Sequence, residues 1–320
     1  MGTSGWSDDH YVASVASKKA AGYTAFVHDD KIKAGEIKAG IHKSLDPKKM
    51  KNNKRECRDS KDHPEAKPIY IGLDVTGSMQ SVPKLIQGEL PKLMGLISRG
   101  GYVDHPSICV SAIGDSEYDR VPFQVGQFEA GIEIDNDITN LYLEGGGGGN
   151  SFESYEMSLY FLAYCVEADE FDKRNGKGYA FIICDESLIP VIKKEEVEKV
   201  FGVKLQGDLP TEEVVNLVKE RWNLYCIVPN MTAHFRNDRM KTYWKQMLGQ
   251  NLILLDDPNM IGKTVVSIIA ANEGFDVDTI HQDLIASGAS AGEANSVSKA
   301  ISTVVSGGMT KLAGSGLSTL

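Results

Sequence analysis

The chain has 320 residues, with 34 Lys/Arg against 44 Asp/Glu, a formal net charge of −10 and a pI near 5.3. Hydrophobic residues make up 42 % and charged residues 24 %, an ordinary globular usage that can bury a large core. No stretch approaches the roughly 18–20 apolar residues of a membrane span, no secretory signal is visible in Met1–Asp9, and the acid excess argues against a nucleic-acid-binding surface over the whole molecule.

Residues 1–67 hold 14 basic and 10 acidic side chains, a net of +4, which leaves −14 for the remainder. We read 1–67 as a basic N-terminal arm or small subdomain, 68–275 as the main domain, and 276–320 as an Ala/Ser/Gly-rich C-terminal extension. The basic excess peaks at Lys48, Lys49, Lys51, Lys54, Arg55 and Arg58. No aromatic residue lies between Gly40 and Pro68, so base stacking from this run is not expected and a solvated linker is.

The main domain opens on Ile69–Leu73, a short continuous apolar run that suits a strand covered on both faces. Val82, Leu85, Ile86, Leu90, Leu93, Met94 and Ile97 follow at helical spacing, with Pro91 expected to kink the helix. Ser107–Ile113 is a second strand, and Phe123–Phe128 a third, whose short connection suits an antiparallel neighbour. A long apolar helix is expected over Phe152–Phe171, with Asn150 and Glu153 as a capping pair. Then come a strand at Tyr179–Cys184, helices near 194–201 and 211–221, a strand at Leu224–Val228, a helix at Asn237–Leu248, a strand at Leu252–Leu255 and a helix at Met260–Ala271. In the extension, Val297, Ile301, Val304 and Val305 fall on one helical stripe. This alternation predicts an α/β fold: a doubly wound, mostly parallel six-stranded sheet with one antiparallel edge strand and helices on both faces. Ligands bind such sheets beyond the C-terminal strand ends.

Three features stand at those ends. Asp74-Val75-Thr76-Gly77-Ser78 follows the first strand and sets one carboxylate and two hydroxyls in a tight turn. Hard oxygen ligands at this density suit Mg²⁺ or Mn²⁺. Glu144 to Ser151 carries five consecutive glycines before the long helix, and Asp185 closes the strand that ends in Cys184.

Together these residues resemble the von Willebrand factor A family and its metal-ion-dependent adhesion site. That site uses an Asp-x-Ser/Thr-x-Ser turn, a Thr in a Gly-rich loop, and an Asp closing the fourth strand. Asp74, Thr76 and Ser78 match the turn, and Asp185 matches the closing Asp. The family Thr is absent; Asn150 or Ser151 stands in its place. The resemblance covers about residues 68–275 and extends, less specifically, to bacterial and phage proteins with a similar arm and glycine loop. It implies a metal held by Asp74, Thr76, Ser78, Asn150, Ser151 and Asp185, with Asp115 and Glu153 standing behind them. It also implies a protein partner that completes the coordination with its own carboxylate, hence binding rather than turnover.

Two other classes of function remain open. Asp74-Val75-Thr76-Gly77 also resembles the nucleophile loop of the haloacid dehalogenase superfamily, and Gly114–Asp119 matches its GDxxxD motif. Only about 40 residues separate the two, which leaves no room for the intervening motifs and no role for the glycine loop or Asp185. A purely structural assembly component is the other class. The glycines lack a P-loop GK[ST], and the seven histidines show no zinc spacing. Cys57, Cys109, Cys165, Cys184 and Cys226 form neither a disulfide framework nor a CxxC pair, so a reducing cytoplasm is expected.

Overall fold

The computed structural model describes residues 6–83, 85–86, 93, 95–97, 101–146 and 152–314. The strands are β1 (Arg55–Cys57), β2 (Lys67–Asp74), β3 (Pro106–Ile113), β4 (Phe123–Val125), β5 (Val166–Ala168), β6 (Gly178–Ile183), β7 (Val191–Ile192), β8 (Leu209–Pro210), β9 (Trp222–Pro229) and β10 (Leu252–Leu255). Six of them form the central sheet in the order β10-β9-β6-β2-β3-β4. All neighbours are parallel except β3 and β4, so the predicted antiparallel edge strand is present, ending at Val125 rather than Phe128.

Alternate residues of each strand serve opposite faces, because successive side chains of a strand point to opposite sides. Ile69, Ile71 and Leu73 of β2 join Phe181, Ile183, Tyr225 and Ile227 in one core. Tyr70, Ala180, Ile182, Cys184, Cys226 and Val228 belong to the other. The first core is covered by helices that include Glu133–Asn140, Ile261–Asn272 and Val277–Ala286. Helices Tyr155–Tyr164, Lys194–Phe201, Thr211–Arg221 and Asp238–Leu248 cover the second. Both faces are therefore closed, which is why the central strands read as continuous apolar runs. Gly178 opens β6 because a Cβ there would stand 2.7 Å from the Trp222 ring.

Three expectations are corrected. The long helix over Phe152–Phe171 is broken: it runs Tyr155–Tyr164, ends at Cys165, and continues as strand β5 and a short helix, Asp169–Asp172. The break arises because β5 pairs in parallel with β1, from the basic arm, in the register Arg55 to Val166 and Cys57 to Ala168. Arg55 N–H donates to the Cys165 carbonyl at 2.8 Å, and Lys54 Nζ to the Tyr164 carbonyl at 2.7 Å, so the arm captures the carbonyls where the helix ends. The run Lys48–Arg58 is accordingly not a solvated linker. Arg58 bonds Glu167 (2.6 Å), Asp172 (3.0 Å) and Asp169 (3.1 Å), and Arg174 closes on Asp59 with contacts of 2.9 and 3.1 Å. Asn150 lies outside the described residues, and Glu153 precedes a helix whose N-cap position is Ser154, so Glu153 is not a third-position capping acid.

The arm and extension both reach the core: Phe26 and Leu45 pack with the first cluster, Met50 and Cys57 with the second. The helix Ala291–Gly314 seats Val297, Ile301 and Val304 of the predicted stripe in the first cluster. In the helix after β2, the described residues from Val82 to Ile97 are helical, and Pro91 lies outside them. All five cysteines are free and buried. Among the described residues no helix is long and apolar enough to cross a membrane.

Candidate functional site

The chain runs from β2 to β3 on one side, then returns to place β6 on the other. The direction of winding reverses there, between β2 and β6, and in such sheets ligands bind beyond the C-terminal strand ends at that point. Asp74 is the last residue of β2, and Asp185 stands two residues past the end of β6. Topology thus brings together two carboxylates that sequence separates by more than a hundred residues.

The turn after β2 is organised by its own hydrogen bonds. Asp74 Oδ1 accepts from the Thr76 backbone N–H (2.8 Å) and from Thr76 Oγ1 (2.6 Å). Thr76 Oγ1 lies 3.2 Å from Ser78 Oγ, and Ser78 Oγ donates to Asp185 Oδ1 at 2.8 Å. One continuous polar path therefore joins Asp74, Thr76, Ser78 and Asp185. Gly77 begins a short 3₁₀ turn, Gly77–Met79, and its N–H donates to the Gly146 carbonyl (2.8 Å), which anchors the glycine loop to the turn. Gly146 is required by close approach, since a Cβ there would lie 2.2 Å from Asp119 Oδ1.

Residues that the sequence reading did not single out complete the frame. Tyr155, in the first turn of its helix, donates to Asp74 Oδ2 at 2.5 Å. The same hydroxyl accepts from the backbone N–H groups of Asp185 (3.4 Å) and Glu186 (3.3 Å), so it links both strand ends. The His234 N–H donates to Asp185 Oδ2 (3.2 Å), and its Nε2 lies 3.1 Å from Glu186 Oε1. A phenol one turn beyond a glycine loop was the available signal for Tyr155. Nothing local marks His234, which arrives from the loop after β9.

The predicted supporting acids are also at this end of the sheet. Asp115, just past β3, is buried, and its Oδ1 accepts from the Glu117 N–H at 2.7 Å. Glu153 is buried, with Oε2 making no hydrogen bond. Asn150 and Ser151 lie outside the described residues.

The electrostatics follow from crowding acids in a dry place. Burial and then the charge of Asp185 push Asp74 up to about 7. Burial likewise raises Asp185, opposed by the Ser78 hydroxyl and the His234 N–H. Glu186 rises to about 7 through burial and then Asp185 and Asp115. Glu153 rises to about 10 through burial and then Asp74, Glu186, Asp115 and Asp119. Each shift is led by burial, the cost of holding negative charge away from water.

Two carboxylates flanking two hydroxyls make an oxygen-only donor set, which fits a hard divalent cation such as Mg²⁺ or Mn²⁺. Among the described residues no three His, Cys, Asp or Glu side chains converge at ligating distance, so hydroxyls would have to contribute to such a set.

No protein-family model matches the sequence, and no match is found among characterised proteins. Solved structures do align with it. The pilus adhesin SpaC from Lactobacillus rhamnosus GG, in its open conformation, is 11 % identical with a TM-score of 0.43, over 69 % of this chain and 31 % of that one. Proximal thread matrix protein 1 from the mussel byssus is 10 % identical (TM-score 0.40, 68 % of this chain, 48 % of that one). A von Willebrand factor type A protein from Catenulispora acidiphila is 13 % identical (TM-score 0.38, 67 % of this chain, 44 % of that one). The chain thus spans about a third to a half of these proteins.

Proposed function

We propose that this chain is a divalent-metal-dependent protein-binding module of the von Willebrand A type. Asp74, Thr76, Ser78 and Asp185 would hold Mg²⁺ or Mn²⁺, and a carboxylate of a protein partner would complete the coordination. The observation that carries the reading is Ser78. Its hydroxyl lies 3.2 Å from Thr76 on one side and 2.8 Å from Asp185 on the other, while its side chain stays part-exposed at the rim. Bound there, the ion supplies an electrophilic position to a partner's oxygen.

The chain's own residues set the terms of that contact. Tyr155 and the Thr76 N–H fix both oxygens of Asp74, so its carboxylate cannot swing out to meet a partner directly. Hydroxyl donors leave less negative charge around a cation than carboxylates would, which favours an added anionic oxygen. The same fixation is poor for a phosphoryl-transfer nucleophile, since Asp74 has no exposed surface and both oxygens are engaged. Free, buried cysteines accord with a reducing cytoplasmic setting.

Calorimetric titration with Mg²⁺ or Mn²⁺ tests the metal. Binding by the wild type and its loss in Asp74→Ala are expected; wild type that binds neither ion sinks the proposal. Once a partner is in hand, its retention in Mg²⁺ and release in EDTA test the docking.

A further inference from the structure

A second feature lies beside this rim. Lys48, Arg120 and Lys199 converge on a cleft of about 230 Å³ floored by Val121, Pro122 and Phe123. The cations come from three separate elements: the 3₁₀ turn Pro47–Lys49 of the arm, the loop between β3 and β4, and the helix Lys194–Phe201. Among the described residues, the charged ends of Lys48 and Arg120 make no ion pair, whereas Lys199 Nζ is held by the Ser116 carbonyl at 2.5 Å. Asp46 is the acid in the cleft. It accepts from the Lys48 N–H (3.0 Å), and Lys49 Nζ stands 3.7 Å away. Nearby Glu144 and Glu196 are engaged with the Val121 N–H and Ser116 Oγ. The lining of the cleft itself thus sets three cations against one acid, Asp46, on a chain whose residues beyond the arm carry −14.

Its place in the fold ties it to the metal turn. Arg120 follows Asp119, whose carboxylate accepts from the Asp115 N–H (2.8 Å) and fills the space against Gly146. Gly146 in turn accepts from Gly77. A contiguous run of packed groups therefore joins the cleft to the turn. The volume is below the roughly 300–1,000 Å³ of small-molecule pockets, which suits side chains of a peptide better than a free cofactor.

We infer that this cleft is a second anchor for the partner: an acidic peptide segment places one carboxylate at the proposed metal position and another acidic side chain among Lys48, Arg120 and Lys199. The inference rests on the metal-dependent docking proposed above. The apolar floor covers the stem of the second acid, and the cations supply orientation and a salt-dependent on-rate.

The test pans a displayed library of random 12-residue peptides against wild type in Mg²⁺, then measures selected peptides by fluorescence anisotropy. Wild type is expected to enrich peptides with two separated acidic positions. The exposed double variant Lys48→Glu/Arg120→Glu, with its fold checked by circular dichroism, should bind them about ten-fold more weakly and select for one acid only. Unchanged affinity and selection in that variant overturn the second anchor, even if EDTA abolishes binding. Loss in the variant with no effect of EDTA keeps an acid-binding cleft but removes its coupling to a metal, and so overturns the inference as stated together with the metal reading. Recovery of no acidic peptide by wild type overturns it outright. Competition by inorganic phosphate at lower concentration than peptide would reassign the cleft to small anions.

Discussion

Tyr155 and Asp74 are 81 residues apart and joined by a hydrogen bond of 2.5 Å from the phenol to the carboxylate. Both are fully buried, and the same phenol accepts from the backbone after β6. Tyr155→Phe keeps the ring and removes the donor. It should cost about 1–3 kcal/mol of stability, the range for a buried acceptor left short of a partner. It should also weaken Mg²⁺ binding by about ten-fold or more, as loss of an orienting group behind a ligand does. Urea unfolding and calorimetry measure the two effects separately.

Asp74→Asn tests the electrostatic side of the same site. In EDTA the wild type holds Asp74 and Asp185 together in a buried place, and each disfavours the other's charge. The variant removes that repulsion but turns one accepting oxygen into a donor facing Tyr155 or Thr76, so in EDTA at neutral pH the two effects oppose and its loss of stability should stay below about 3 kcal/mol. In Mg²⁺ the gap should widen, because only wild type gains binding free energy, about 2.7 kcal/mol at a hundred-fold excess over Kd. Thermal unfolding in the two buffers gives both comparisons.

The junction of the arm with β5 should be sensitive to acid. Burial raises Asp169, but Lys173, the Asp59 N–H and Arg58 outweigh it and hold the carboxyl down at about 2. Arg174, before all else, lowers Asp59. A depressed folded pKa contributes stability above the unfolded value, about 3.9 for Asp, and loses it as pH falls through the folded value. Protection of the β1 and β5 amides should therefore fall between about pH 4 and pH 2. Hydrogen exchange read by mass spectrometry would show this as local opening, and Arg58→Ala should move the opening to higher pH.

The extension should contribute to global stability. Ile301 is fully buried against the first core. Ile301→Ala should destabilise the whole molecule by about 2–5 kcal/mol, the range for deleting a large core aliphatic. A single urea transition shifted to lower midpoint is the expected result; an unshifted midpoint would show that the helix does not pack there in solution.

The sheet was legible because its strands are buried on both faces and so are written as unbroken apolar runs such as Ile69–Leu73 and Phe181–Cys184. The ends of those runs pointed to Asp74 and Asp185 for the same reason: a polar residue that stops a buried strand marks the rim. What failed was any feature decided by a distant partner. Cys165-Val166-Glu167-Ala168 continues the apolar character of the helix before it, and only the pairing with Arg55–Cys57 makes it a strand. The basic run of the arm looked solvated because Glu167, Asp169 and Asp172, which neutralise Arg58, come more than a hundred residues later. Tyr155 reads as one more aromatic on an apolar helix until topology sets its hydroxyl between two strand ends.

That distance between β1 and β5 also bears on how the chain is made. Arg55 emerges from the ribosome 111 residues before Val166, its partner in the ladder. At about 5–20 residues per second this is an interval of roughly 5–20 s in which the nascent arm has no strand to join. Its cationic side chains keep it hydrated during the wait, so the composition that resembles a linker serves the chain before folding, and the acids of the Glu167–Asp172 segment end that period by neutralising it.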